Sequence, residues 1–95
     1  MSMITAKTND GFEIELDENV LDDSELWDAL DGMLDGDVLA MGRMTVRLLG
    51  KEGRKKLYDH LRTPDGRVPL TKVSDALGEL MNSFAAGKNS ASSPN

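Results

Sequence analysis

His60 is the single histidine of the chain, and cysteine is absent. The only imidazole that could serve a nucleophile is therefore His60, which has no thiol to activate, and it reads as a surface residue rather than a general base. Zinc would find one His and no Cys, which excludes its usual sites. The 17 carboxylates raise the question of calcium, but no stretch matches the spaced D-x-[DN]-x-[DN]-G loop with its distal Glu. Asp28, Asp31 and Asp35 recur at helical spacing and read as a solvated helix face. Gly87-Lys88-Asn89 lacks the leading glycine and the closing hydroxyl residue of a phosphate-binding loop. These readings point away from an enzyme: no catalytic, cofactor-binding or metal-ligating residue is expected.

What remains is charge and apolar surface. The net charge of -6 is unevenly spread. Residues 1–37 carry twelve acids and one base, Lys7, whereas residues 38–72 carry nine bases and three acids. Two readings stay open: the acidic front packs beside the basic middle of the same chain, or the acidic face of one copy meets the basic face of the next. The bases Arg43, Arg47, Lys51, Arg54, Lys55 and Lys56 could form one stripe for nucleic acid. The stripe lacks Asn or Gln for reading adenine, and a hinge at Gly50 is too short for the usual helix-turn-helix connection. Six methionines in a chain with only 4% aromatic residues supply either core packing or a surface that adapts to partners. Met33, Met41, Met44 and Met81 all fall on expected apolar stripes.

The elements that must position these groups follow from period and punctuation. Ile4 and Ala6 alternate with polar neighbours, Asn9-Asp10-Gly11 makes a turn, and Phe12, Ile14 and Leu16 alternate again, predicting a β-hairpin. A lone hairpin is marginal in water, so its apolar face needs helices beneath it. Asp22 is placed to cap a first helix, with Glu25 as its capping-box partner. Leu26, Leu30, Met33 and Leu34 then form an apolar stripe with Trp27 on its edge. Gly36 ends this helix, and Asp37 can cap the next. A second helix over 38–49 has an unusually wide apolar surface, including Leu39 and Val46, which suggests burial on two sides or a subunit contact. A third over 51–62 carries Gly53 in its first turn, at a cost of about 1 kcal/mol relative to Ala, and crowds Lys51, Arg54, Lys55 and Lys56 where the helix dipole disfavours cations. Thr63-Pro64-Asp65-Gly66 is a turn. Thr71 can cap a last helix along which Val73, Leu77, Leu80, Met81 and Phe84 keep helical spacing. From Gly87 the composition turns to small and polar residues expected to be disordered. The expected architecture is α+β and mostly helical: an N-terminal β-hairpin on about four short α-helices, one domain over 1–86 and a disordered tail over 87–95. No apolar run suits a membrane span and no signal-peptide layout is visible, so the protein is expected to remain in the compartment where it is made.

Read together, several segments resemble a known family. They are Gly11-Phe12-Glu13-Ile14-Glu15-Leu16, Asp22-Asp23-Ser24-Glu25-Leu26, Leu48-Leu49-Gly50, Leu57-Tyr58-Asp59-His60-Leu61-Arg62, Asp65-Gly66-Arg67-Val68 and the closing Gly87-Lys88-Asn89-Ser90. In this order they resemble the short tail assembly chaperones encoded just before the tape measure protein in phages and prophages of Gram-positive bacteria. The resemblance spans nearly the whole chain, on soft motifs with no catalytic signature.

The resemblance implies a protein that coats the long, aggregation-prone tape measure protein in the host cytoplasm while the tail tube grows, and that is absent from the finished particle. It implies self-association and a longer partner form made by ribosomal frameshifting. Lys88-Asn89 can be encoded by a slippery heptamer, which makes it the candidate frameshift position. Client contact is expected from the second and third helices, at Met41, Arg43, Met44, Arg47, Lys51, Arg54 and Lys55. The alternative is a small nucleic-acid-binding regulator using the basic segment 43–56.

Overall fold

A computed structural model describes residues 2–92. Strands β1 (Met3–Lys7) and β2 (Glu13–Asp17) pair antiparallel and are followed by helices α1 (Ser24–Leu34), α2 (Val38–Leu61) and α3 (Leu70–Ser92). The two strands lie Ile4 opposite Leu16 and Ala6 opposite Ile14, so the even-numbered residues share the face that meets the helices. The hairpin turn is fastened by the Thr8 side chain, which accepts from the Phe12 N–H at 3.1 Å and bonds the Asp10 carboxylate. Gly11 supplies the left-handed backbone, φ 97°, that the turn requires.

Helix α3 closes over β1. The Lys7 N–H at its outer edge donates to Ser83 Oγ at 2.9 Å, and the Asn9 N–H donates to Glu79 Oε1 at 2.8 Å. Val73, Ala76, Leu77, Leu80 and Phe84 line the inner side of α3 and join Ala6, Phe12, Leu16, Leu26, Met44, Leu48 and Leu57 in one core. A pair of strands becomes stable here because α3 and α2 bury its apolar side.

The structure revises four expectations. It has three helices rather than about four, because the segments expected at 38–49 and 51–62 form the single element α2. Its backbone leaves helical geometry at Gly50 (φ 76°, ψ 174°), where the sequence placed the break, so α2 consists of two helical segments joined at a kink. Second, Asp23 rather than Asp22 caps α1, accepting from the Glu25 N–H at 3.0 Å. Asp22 is instead held in the preceding turn, where its N–H donates to the Asn19 carbonyl. Third, α3 begins at Leu70, so Thr71 lies inside it, and the Pro69 carbonyl accepts from the Val73 N–H. Fourth, residues 87–92, expected to be disordered, continue α3 in their backbone. Residues 93–95 of that expected tail lie outside the described residues. Gly87 is the reason the helix can pass the hairpin: a Cβ there would come within 2.9 Å of Ile4 Cγ2.

Gly53 has the same logic. It is buried, and a Cβ on it would meet Ile14 Cδ1 and Leu49 Cβ at 2.8 Å each. The glycine that weakens the second half of α2 as an isolated helix is what lets the hairpin lie against it.

Candidate partner-binding surfaces

Of the seven residues expected to contact a client, Met44 is sealed in the core and Met41 reaches the surface only in the wall of a groove. Met41 is 7% exposed and Met44 fully buried, because both lie on the side of α2 facing the core. Met33 and Met81 are partly buried and pack against the same core. These four methionines therefore pack into or against the core between the elements.

Three of the basic residues, Arg43, Arg47 and Arg54, converge. With Asp23, Leu39, Gly42 and Val46 they line an open groove of about 600 Å³ along the outer side of α2. Arg43 lies 3.5 Å from Asp37, and Arg47 reaches Asp23 at 3.8 Å and also bonds Glu25. These pairs join the basic middle to the acidic front within one molecule, as the intramolecular reading of the charge pattern required. Arg54 sits over the Tyr58 ring at 6.0 Å. Lys55 is turned to Asp59 at 3.0 Å, and Lys51 has no ion-pair partner among the described residues. Asp59, held by Lys55 and then Arg62, titrates below the ordinary aspartate range. The stripe expected over 43–56 is thus split into a partly neutralised groove and a separate lysine-bearing side. Lys88 and Asn89, the candidate frameshift position, fall on the last turns of α3, and their side chains lie outside the described residues.

His60 is better anchored than a surface reading suggests. Its Nε2 lies 3.0 Å from Asp10, and its ring stands 5.3 Å from that of Phe12. The Asp10 carboxyl is held below its ordinary range by the Thr8 hydroxyl first and by His60 second. His60 therefore fastens the hairpin turn to the end of α2. No group of three or more potential ligands gathers to hold a metal ion among the described residues.

The surface that sequence reasoning marked only in part, at Leu39 and at the stripe-edge Trp27, lies on α1 and at its junction with α2. Trp27 is 46% exposed, Leu34 75%, Val38 54% and Leu39 75%. Trp27, the half-buried Leu30 and Leu34 follow i, i+3, i+7 spacing on the outer side of α1, while Leu26, Ala29 and Met33 face inward. The indole N–H of Trp27 donates to the Leu21 carbonyl at 2.8 Å, which fixes the ring against the turn before the helix. Beyond Leu34 the helix closes in a Schellman motif, with Asp37 N–H on the Gly32 carbonyl, Gly36 N–H on the Met33 carbonyl, and Gly36 at φ 90°. Asp37 then caps α2, accepting from the Leu39 N–H at 3.0 Å. Beside this corner a shallow groove of about 190 Å³ runs between Met33, Val38, Met41 and the start of α3 at Leu70. The sequence signal was present in the breadth of apolar residues on the first two helices, which exceeds one stripe each.

No family model matches the chain, and neither a curated protein nor a solved structure is similar to it. Among the described residues, no helix is long and apolar enough to cross a membrane.

Proposed function

We propose that the protein is a non-enzymatic tail assembly chaperone of the long-tailed phage type, which binds a tape measure protein and keeps it soluble while the tail tube assembles around it. The observation that carries this reading is the exposure of Trp27, Leu34, Val38 and Leu39 on α1 and at the start of α2. Large apolar side chains grouped on a small domain mark an interaction surface, and reversible cover of a client's helix faces needs such a surface and no reactive group. The segment resemblance described above supplies the class of client. In this reading the protein works in the bacterial host cytoplasm, self-associates along its client and leaves before the particle is complete. A longer form follows if the gene slips at Lys88-Asn89.

Co-expression with a tape measure fragment tests the proposal. The fragment should move from the pellet into the soluble fraction and co-purify with the chaperone. An unchanged aggregated fraction would refute it. Codons that preclude slipping at positions 88 and 89 would remove the frameshift at that place.

Nucleic-acid binding through segment 43–56 is the weaker reading. Arg43 and Arg47 are engaged by Asp37, Asp23 and Glu25, so phosphates would have to displace three carboxylates from the groove. Binding to duplex DNA at low salt, falling steeply as salt rises, would reinstate it.

A further inference from the structure

The outer side of α1 combines three features that single out one kind of occupant. The first is the stripe on the outer side of α1 formed by the exposed pair Trp27 and Leu34, with the half-buried Leu30 between them and the exposed Val38 and Leu39 following at the start of α2. The second is the placement of acids. At about 100° per residue, Asp31, Asp35 and Asp28 lie along one border of that stripe, and the core-facing residues lie along the other. All three acids are exposed and none has an ion-pair partner among the described residues, although Asp28 lines a cleft with Arg43 and Arg47, which leaves Asp31 and Asp35 as the principal anionic pair. The third is the end of the helix itself. Its last turn contains no basic residue, so no side-chain cation of α1 offsets Asp31 and Asp35 there.

We infer that this surface docks a cationic amphipathic helix of another protein. The helix lays an i, i+3/i+4, i+7 apolar face on Trp27 and Leu34 and brings Lys or Arg side chains over Asp28, Asp31 and Asp35. The inference deepens the chaperone reading and rests on it only for the identity of the client, which must carry helices of this basic, amphipathic kind. A second copy of this chain does not fit. Two α1 helices packed antiparallel about a two-fold axis would bring like charges together along their acidic borders. Within the basic middle, residues 38–72, the exposed large apolar residues are Val38, Leu39 and Leu70; Val38 and Leu70 line the groove at this same corner, and Arg43 and Arg47 are already bound to acids.

Trp27 is the single tryptophan and stands in the stripe, so it reports occupancy directly. The full chain is titrated with a synthetic helical peptide free of tryptophan, bearing Leu at the apolar positions and Lys beside them. The matched control carries Glu in place of Lys. The Lys peptide should shift Trp27 emission saturably to shorter wavelength, with an affinity that falls as salt rises, and the Glu peptide should not. Leu34→Ser, at a position exposed enough to spare the fold, should weaken the Lys peptide about tenfold. The pair Asp31→Lys with Asp35→Lys should reverse the preference between peptides, with the far-ultraviolet dichroism of each variant checked against the parent.

An absent shift, an equal response to both peptides, or Leu34→Ser binding as tightly as the parent would overturn the inference. An emission shift that follows protein concentration without peptide would assign the surface to a second copy and overturn it as well. The two proposals fail separately. A Lys peptide that binds while the tape measure fragment stays aggregated removes the chaperone reading alone. A fragment kept soluble equally well by Leu34→Ser removes the docking surface alone.

Discussion

Gly32 sits where α1 comes closest to α2, and replacing it with alanine sets two effects of opposite sign against each other. A methyl group inside a helix gains about 1 kcal/mol over glycine in backbone propensity. Here the added Cβ would stand 2.7 Å from the Cβ of Ala40, which is fully buried. Carbon atoms settle at roughly 3.5–4.0 Å, so the last turn of α1 would have to retreat by about 1 Å. Neither methyl can swing away, because each is fixed directly to its backbone. Overpacking of this kind costs about 1–3 kcal/mol. Crowding therefore exceeds propensity, and Gly32→Ala should destabilise the fold by about 1 kcal/mol net, lowering Tm by about 4–8 °C for a domain of this size. The companion variant Ala40→Gly vacates the space. In the double variant the methyl is moved across the interface, and a favourable coupling of about 1–2 kcal/mol should appear in a double-mutant cycle followed by urea unfolding. A rise in Tm for Gly32→Ala, or simple additivity in the cycle, would refute the close approach. It would also undo the rigid corner on which Leu34 and Val38 are presented.

Other expectations follow from the same packing and charges. Met44→Ala should cost about 2–5 kcal/mol in chemical unfolding, because it empties a buried site; a loss of client binding with unchanged stability would contradict that placement. Arg47→Ala should change stability by no more than about 1 kcal/mol, since its pairs with Asp23 and Glu25 are half-exposed, and the difference should shrink as salt is added. The Asp10 and Asp59 carboxyls lie below the ordinary value of 3.8 in the folded chain, as does Asp65, which is held first by the Thr63 hydroxyl. Depressed acids stabilise the fold above their unfolded pKa, and that contribution fades as pH falls through the folded one. Asp10→Asn should therefore be less stable than the parent at pH 7, with the gap closing below pH 3.8; a gap that widens in acid would reverse the assignment.

The hairpin was legible because its alternation and its Asp10-Gly11 turn are local, and the end of α1 because Gly36 and Asp37 act within a few residues of themselves. The inward side of α3 was legible for the same reason, its apolar spacing running unbroken from Val73 to Phe84. Cap positions slipped by a residue or so, as at Asp23, where two adjacent aspartates compete and a preceding turn decides between them.

Three matters rested on contacts between distant segments. Gly53 read as a helix weakener and Gly87 as the start of a disordered tail, yet Ile14 and Ile4 make them sites of close approach. Met41 and Met44 share their type and spacing with residues that could face a partner; the burial of that side of α2 makes them core. Trp27 and Leu34 share a helix with Leu26 and Ala29 and differ only in which side other elements cover. Period and composition specify that a helix has apolar residues on two flanks. Which flank is sealed depends on where the chain returns, because burial is a property of neighbours and not of the residue itself.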